Sequence, residues 1–232
     1  PSEHVGVHAS GASTVSSPTS SWLPLFLQRL PEARSQAQSQ TGGAKLVRLG
    51  WGAVGGARPR IMDIKCQGLP FFPLANKILT DALVAAQRRL TWSSLGLWFD
   101  LGGSWRGGQA WPGLAAALAI TSGGAWLEVR RPGGGSVRAS IAGEAILFDP
   151  FHDFRVEAGA GDVVVLLAFQ EAERQHRGPK VVGRLKALGC TLDDPEAWTS
   201  PSRVSWDEEA VRLGKALDIS SGSGAEGAPP SF

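Results

Sequence analysis

The sequence predicts a mainly β core with flanking helices and long irregular N- and C-terminal extensions. Two neighbouring apolar runs, Gly143–Asp149 and Asp162–Phe169, are rich in Val, Ile, Leu and Phe, and each is too short for a helix. A short polar connection joins them, so they read as adjacent buried strands. Further short apolar runs precede them, set apart by Gly-rich turns at 122–124 and 132–135. At 232 residues the chain can bury one good core with extensions, rather than two independent domains.

Residues 1–60 are rich in Ser, Ala, Gly and Gln and poor in acids. That composition predicts an irregular extension that docks on partners, because it buries too little apolar surface to offset backbone entropy. The first residue is Pro rather than Met, so the chain is expected to be either processed or incomplete, and the acid-poor composition suits a remnant of organellar targeting. One apolar patch interrupts this segment, Trp22 to Leu30, with Trp22, Leu23, Leu25, Phe26 and Leu27 at its front. Three readings stand for it: a membrane interface, a partner's groove, or packing on its own barrel. It is too short to span a bilayer, and no other stretch reaches the roughly 18 continuous apolar residues required.

From Pro73 to Leu90 the apolar positions Leu74, Ile78, Leu79, Ala82, Leu83, Ala86 and Leu90 fall at helical spacing, with Pro at the start. Strands are expected at 95–101, 114–121, 125–130, 136–141, 144–149, 153–157 and 162–169. Together the helix and strands make a barrel unit over 61–170. A C-terminal helical appendage and tail occupy 171–232. Within it, Pro179–Leu188 reads as a helix stopped by Gly189, and Ser205 with Glu208 forms a capping-box pattern opening a helix to about Asp218.

Composition narrows the function classes. The formal net charge is +2 and no long Lys/Arg run occurs, so nucleic acid is not an expected partner. Cys66 and Cys190 stand far apart and outside any Cys-x-x-Cys or Cys/His cluster, which argues against zinc and for two reduced thiols, with a disulfide as the alternative. Tyr is absent while Trp occurs nine times. Trp22, Trp51, Trp105, Trp111, Trp198 and Trp206 suit interface anchors, with packing on the chain's own barrel as the competing reading for Trp105 and Trp111. The Gly-Gly pairs lack the strand-loop-helix context of a phosphate site and read as turns.

The order Gly143-Glu144, then Phe148-Asp149, a short turn and Val163–Leu167 resembles the C-terminal half of the aspartyl/asparaginyl β-hydroxylase family. Upstream, Leu114–Thr121, the Gly turn and Trp126–Val129 resemble that family's Leu-x-x-His-Leu-Gly-Leu and Trp-Ile-x-Val strands, so the resemblance covers roughly 90–170. It implies a double-stranded β-helix, the jelly-roll or cupin-like core of iron- and 2-oxoglutarate-dependent oxygenases. The family's functional residues do not carry over. Its second iron-binding His aligns with Phe154, its cosubstrate-gripping Arg with Asp162, and the His of its Leu-x-x-His-Leu strand with Ala117. The first ligand should lie before that strand, where Leu101–Pro112 contains no His.

An iron site needs imidazole and carboxylate ligands with open positions for oxygen and cosubstrate. His152 with Asp149 or Asp153 supplies part of one, one two-residue repeat of about 6.5 Å from Phe154. No third ligand follows nearby, so a solvated turn His is the competing reading. The resemblance therefore implies a non-catalytic structural or docking subunit of a large assembly, binding other subunits through its two extensions. A peripheral subunit of an organellar membrane complex, photosynthetic or respiratory, in the chloroplast of a microbial eukaryote is the narrower expectation. Two alternatives stay open: an active or altered hydroxylase using iron and 2-oxoglutarate, and a binder of a small hydrophobic ligand or pigment.

Overall fold

The computed structural model describes residues 20–41, 46–52, 58–99, 103–109, 111–131, 134–159, 161–171 and 178–192. Their order is α1 (Leu23–Thr41), β1 (Leu46–Gly52), β2 (Arg60–Met62), β3 (Lys65–Cys66), β4 (Leu69–Pro70), α2 (Phe72–Ala85), β5 (Ser94–Trp98) and β6 (Ala115–Thr121). Then follow β7 (Ala125–Arg130), β8 (Ser136–Ser140), β9 (Ile146–Phe148), β10 (Phe154–Ala158), β11 (Val163–Phe169) and α3 (Pro179–Ala187).

The strands form a six-stranded sheet, β2-β1-β5-β11-β6-β9, a three-stranded sheet, β10-β7-β8, and the small β3-β4 hairpin. From β6 onward the chain passes between the two larger sheets, and β11 and β10 return to pair antiparallel with β6 and β7. This is the double-stranded β-helix, a jelly roll.

Alternation along the strands explains why there are two cores. On β6, Ala115, Ala117 and Ala119 face the barrel interior, while Ala116, Leu118 and Ile120 face the helices. On β11, Val165, Leu167 and Phe169 point inward and Val164, Leu166 and Ala168 outward. A strand apolar on both faces has to be covered on both, here by the small sheet on one side and by α1 and α2 on the other. The small side chains of β6 leave room inside for Trp111, Phe148, Phe154 and Phe169. The small sheet has only one buried face, with Ala125, Leu127, Phe154 and Val156 inward and Glu128, Arg138, Arg155 and Glu157 outward.

The strand and helix bounds expected between 61 and 188 meet the structure within a few residues, but the runs 143–149 and 162–169 are not neighbours as expected, because β6 lies between β9 and β11 and pairs with both. The helix expected to reach Leu90 stops at Ala85. Gln87 adopts φ 53°, and the amide of Arg88 donates to the carbonyl of Leu83 at 2.8 Å, a left-handed C-terminal cap made without glycine. At the end of α3, Gly189 takes φ 92°, as its sequence position predicts. Gln67 and Gly68, both at positive φ, make the two-residue turn of the β3-β4 hairpin. The helix expected at 205–218 lies outside the described residues.

One boundary is corrected. Residues 1–60 are not wholly an irregular extension, because Leu23–Thr41 and Leu46–Gly52 belong to the domain. Phe26 and Ala33, spaced seven apart on α1, are fully buried, with Leu23, Leu25 and Leu30 packed beside them. Pro24, Pro31 and the Gln-rich end hide this periodicity, yet Pro31 sits on the exposed side, where water can reach the carbonyl left without its amide partner. Strand β1 lies between β2 and β5, and its Val47, Leu49 and Trp51 are buried. Among the described residues no helix is long and apolar enough to cross a membrane.

Candidate functional site

The segment around Arg106 runs beside the start of β10. Arg106 and Phe154 form an antiparallel bridge: the Arg106 amide donates to the Phe154 carbonyl at 2.8 Å, and the Phe154 amide donates back at 3.0 Å. Farther along, the Gln109 amide donates to the Pro150 carbonyl at 2.6 Å. This close approach needs glycine, because a Cβ on Gly108 would overlap the carbonyl oxygen of Phe151.

What stands at this junction is apolar and cationic. Phe154 is fully buried and packs on Phe148 with ring centroids 5.0 Å apart. Trp111 stacks on Phe169 at 3.9 Å. The guanidinium of Arg106 lies over the Trp98 ring, 4.1 Å from its centroid, and burial pulls its pKa below the usual arginine value.

The structure thus brings together two of the places to which the family resemblance assigns iron ligands. Phe154 and the segment containing Arg106 meet directly, but one offers a hydrocarbon and the other a cation. Ala117 is buried with no donor atom in its side chain, and the side chain of Asp162 is almost wholly exposed, 3.8 Å from Arg34. These residues do not fit iron, which needs neutral imidazole and carboxylate donors and is repelled by a guanidinium.

The alternative set around His152 does not converge. Asp149 accepts the Phe151 amide at 2.8 Å, holding the turn, and Asp153 pairs with Arg130 at 2.8 Å. The His152 amide reaches the Asp149 carbonyl at 3.4 Å. Among the described residues no group of three or more His, Cys, Asp or Glu side chains is placed to hold a metal. Cys66 and Cys190 are buried and not joined in a disulfide, and burial, chiefly, pushes the Cys66 thiol up to about 11.

Several residues expected to dock partners belong to the chain's own core instead. Phe26 and Trp51 are buried because their helix and strand turn them toward the helix-side core, and Leu23 and Leu25 are partly buried beside it. Trp22 and Leu27 remain exposed, at 43% and 42%. Trp198 and Trp206 lie outside the described residues. Trp105 is held on the outer face of the small sheet between Arg130 and Arg155, at 4.3 and 4.8 Å. Nearby, Ser136 donates to Glu128, and this bond, with Arg155 at 2.6 Å, holds the Glu128 carboxyl below its ordinary range.

Sequence reasoning passed over Arg106 and Trp98. The available signal was an arginine set between glycine pairs in a Trp-rich stretch otherwise noted only for lacking His.

No family model matches the chain, and no curated protein matches it. Among solved structures, it is similar to the ribosomal oxygenase YcfD from Escherichia coli, at 12% identity over 88% of this chain and 67% of that one, with a TM-score of 0.38. It is also similar to NgTET1 in complex with 5mC DNA, at 10% identity over 71% of this chain and 76% of that one, with a TM-score of 0.45. The capsular polysaccharide assembling protein CapF from Staphylococcus aureus aligns at 12% identity over 37% of this chain, with a TM-score of 0.29, and the match spans only 26% of CapF's length.

Proposed function

We propose that this jelly roll is a non-catalytic docking subunit of a larger assembly, built on an oxygenase-like barrel that does not use iron. The Arg106–Phe154 bridge carries the reading. Phe154 stands where the resemblance puts the second iron-binding His, Arg106 lies in the His-free segment where the first ligand should fall, and neither side chain can donate to a metal. The exposed Trp22 and Leu27 offer apolar contact area to a partner, and the chain continues beyond the described residues at both ends. A peripheral place on an organellar membrane complex is the narrower form of this proposal.

The test has two arms. Size and co-migrating chains are measured on the native protein from its source, where a particle of several hundred kilodaltons with defined partners is expected. The purified chain is then given ferrous iron and 2-oxoglutarate, and metal content and oxygen uptake are followed. Stoichiometric iron with 2-oxoglutarate-dependent oxygen uptake would overturn the reading, as would a native species no larger than one chain.

A further inference from the structure

We infer that the junction of Arg106 and Trp98 is a binding site for a small carboxylate. Two buried donors without acceptors point to it. Trp98 is 3% exposed, and its indole Nε1 makes no hydrogen bond; the Nε of Arg106 is likewise buried and unbonded. The guanidinium lies on the indole face, so the two orphan donors belong to one pair of stacked side chains.

A buried N–H left unpaired costs about 1–3 kcal/mol, and two in contact call for a shared cause. The charge of Arg106 is also uncompensated: no carboxylate pairs with it among the described residues, and burial alone accounts for its lowered pKa. The nearest acids on the adjoining segment are already engaged, Asp153 with Arg130 and Asp149 with the Phe151 amide. The chain sets a cation and an N–H donor against apolar side chains, and among the described residues no acceptor meets the Trp98 Nε1 or the Arg106 Nε.

The missing partner is an anion with oxygen acceptors. A planar, singly charged carboxylate fits best. It can take the Nε edge of the guanidinium in a two-point contact while the flat face stays on Trp98. It also costs less to desolvate against Phe154, Trp111 and Phe169 than a phosphate dianion would. Arg106 is only partly buried, and of its three nitrogens only Nε is both sealed from solvent and unbonded. This inference stands apart from the docking role, since neither a partner nor a metal enters it.

The experiment titrates the full chain with sodium acetate, sodium benzoate and sodium phosphate at constant ionic strength, following Trp fluorescence and thermal midpoint. A saturable fluorescence change with a rising midpoint is expected for a carboxylate. Arg106→Met should abolish it. Trp98→Phe, which keeps the ring and removes the N–H, should weaken it about 5- to 20-fold, the loss of one hydrogen bond. If either variant is poorly folded by circular dichroism, Arg106→Lys, which keeps the charge and loses the two-point edge, replaces it and should weaken carboxylate binding at least tenfold. Equal responses to carboxylate and phosphate, an unchanged response in Arg106→Met, or no saturable response to either carboxylate would each overturn the inference.

Discussion

Asn76 accepts the indole N–H of Trp92 at 2.8 Å and donates its own amide to the Leu188 carbonyl at 2.8 Å, tying α2 to the entry of β5 and the end of α3. All of Asn76 is buried, and Trp92 is 2% exposed. The short stop after α3 depends on this contact, because Gly189 passes close to the Asn76 side chain at positive φ. Replacing Asn76 by Leu keeps the volume and leaves two buried polar groups unpaired. A loss of about 2–4 kcal/mol in urea unfolding is expected. A change below ~0.5 kcal/mol would mean that water or a shift of α3 satisfies them instead.

Gly108 and Gly113 separate two kinds of constraint. Gly108 is needed because backbone stands where its Cβ would be, whereas Gly113 has φ 77° and open space around it. Gly113→Ala should cost about 1–2 kcal/mol from the left-handed conformation alone, with no change at the barrel. Gly108→Ala has to push the 106–109 segment off Phe151, costing about 1–3 kcal/mol and also shifting Trp emission as Arg106 moves from Trp98. Identical emission from both variants would count against the close approach.

The same contrast shows what was legible in the sequence. Strands β6, β7 and β11 were readable because their residues are apolar in unbroken or alternating runs, and local pattern fixes such strands. Helix α1 was not, since Pro31 is a local stop signal that tertiary burial of Phe26 and Ala33 overrides. Strand β1 was hidden in a Gly-rich stretch and is recognised only by its pairing with Ser94–Trp98. At the site, the strand expected at 153–157 is β10, with Phe154 at its start. That Arg106 lies opposite it is a long-range pairing with no local sequence signature.

Asp63 provides a pH test of the scaffold beneath the helices. Its carboxylate accepts the amides of Ile64 at 2.7 Å, Phe71 at 3.2 Å and Phe72 at 2.8 Å, closing the entrance to α2 as an N-cap would. Burial nevertheless outweighs these three bonds and raises its pKa above the ordinary 3.8. An acid with a raised folded pKa binds its proton more tightly when folded. Its contribution to stability is therefore full below the unfolded pKa and is lost as pH rises through the folded one. Asn keeps the accepting oxygen and removes the buried charge. Asp63→Asn should thus match the wild type at pH 3 and equal or exceed it at pH 7. Asp63→Ala, which leaves the amides of Ile64 and Phe72 without their acceptor while that of Phe71 keeps the Ile64 carbonyl at 2.8 Å, should be destabilised by about 1–2 kcal/mol at both. Urea midpoints at the two pH values decide it: a wild type that gains on Asp63→Asn as pH rises would show that the amide bonds, and not burial, set the charge of this carboxyl.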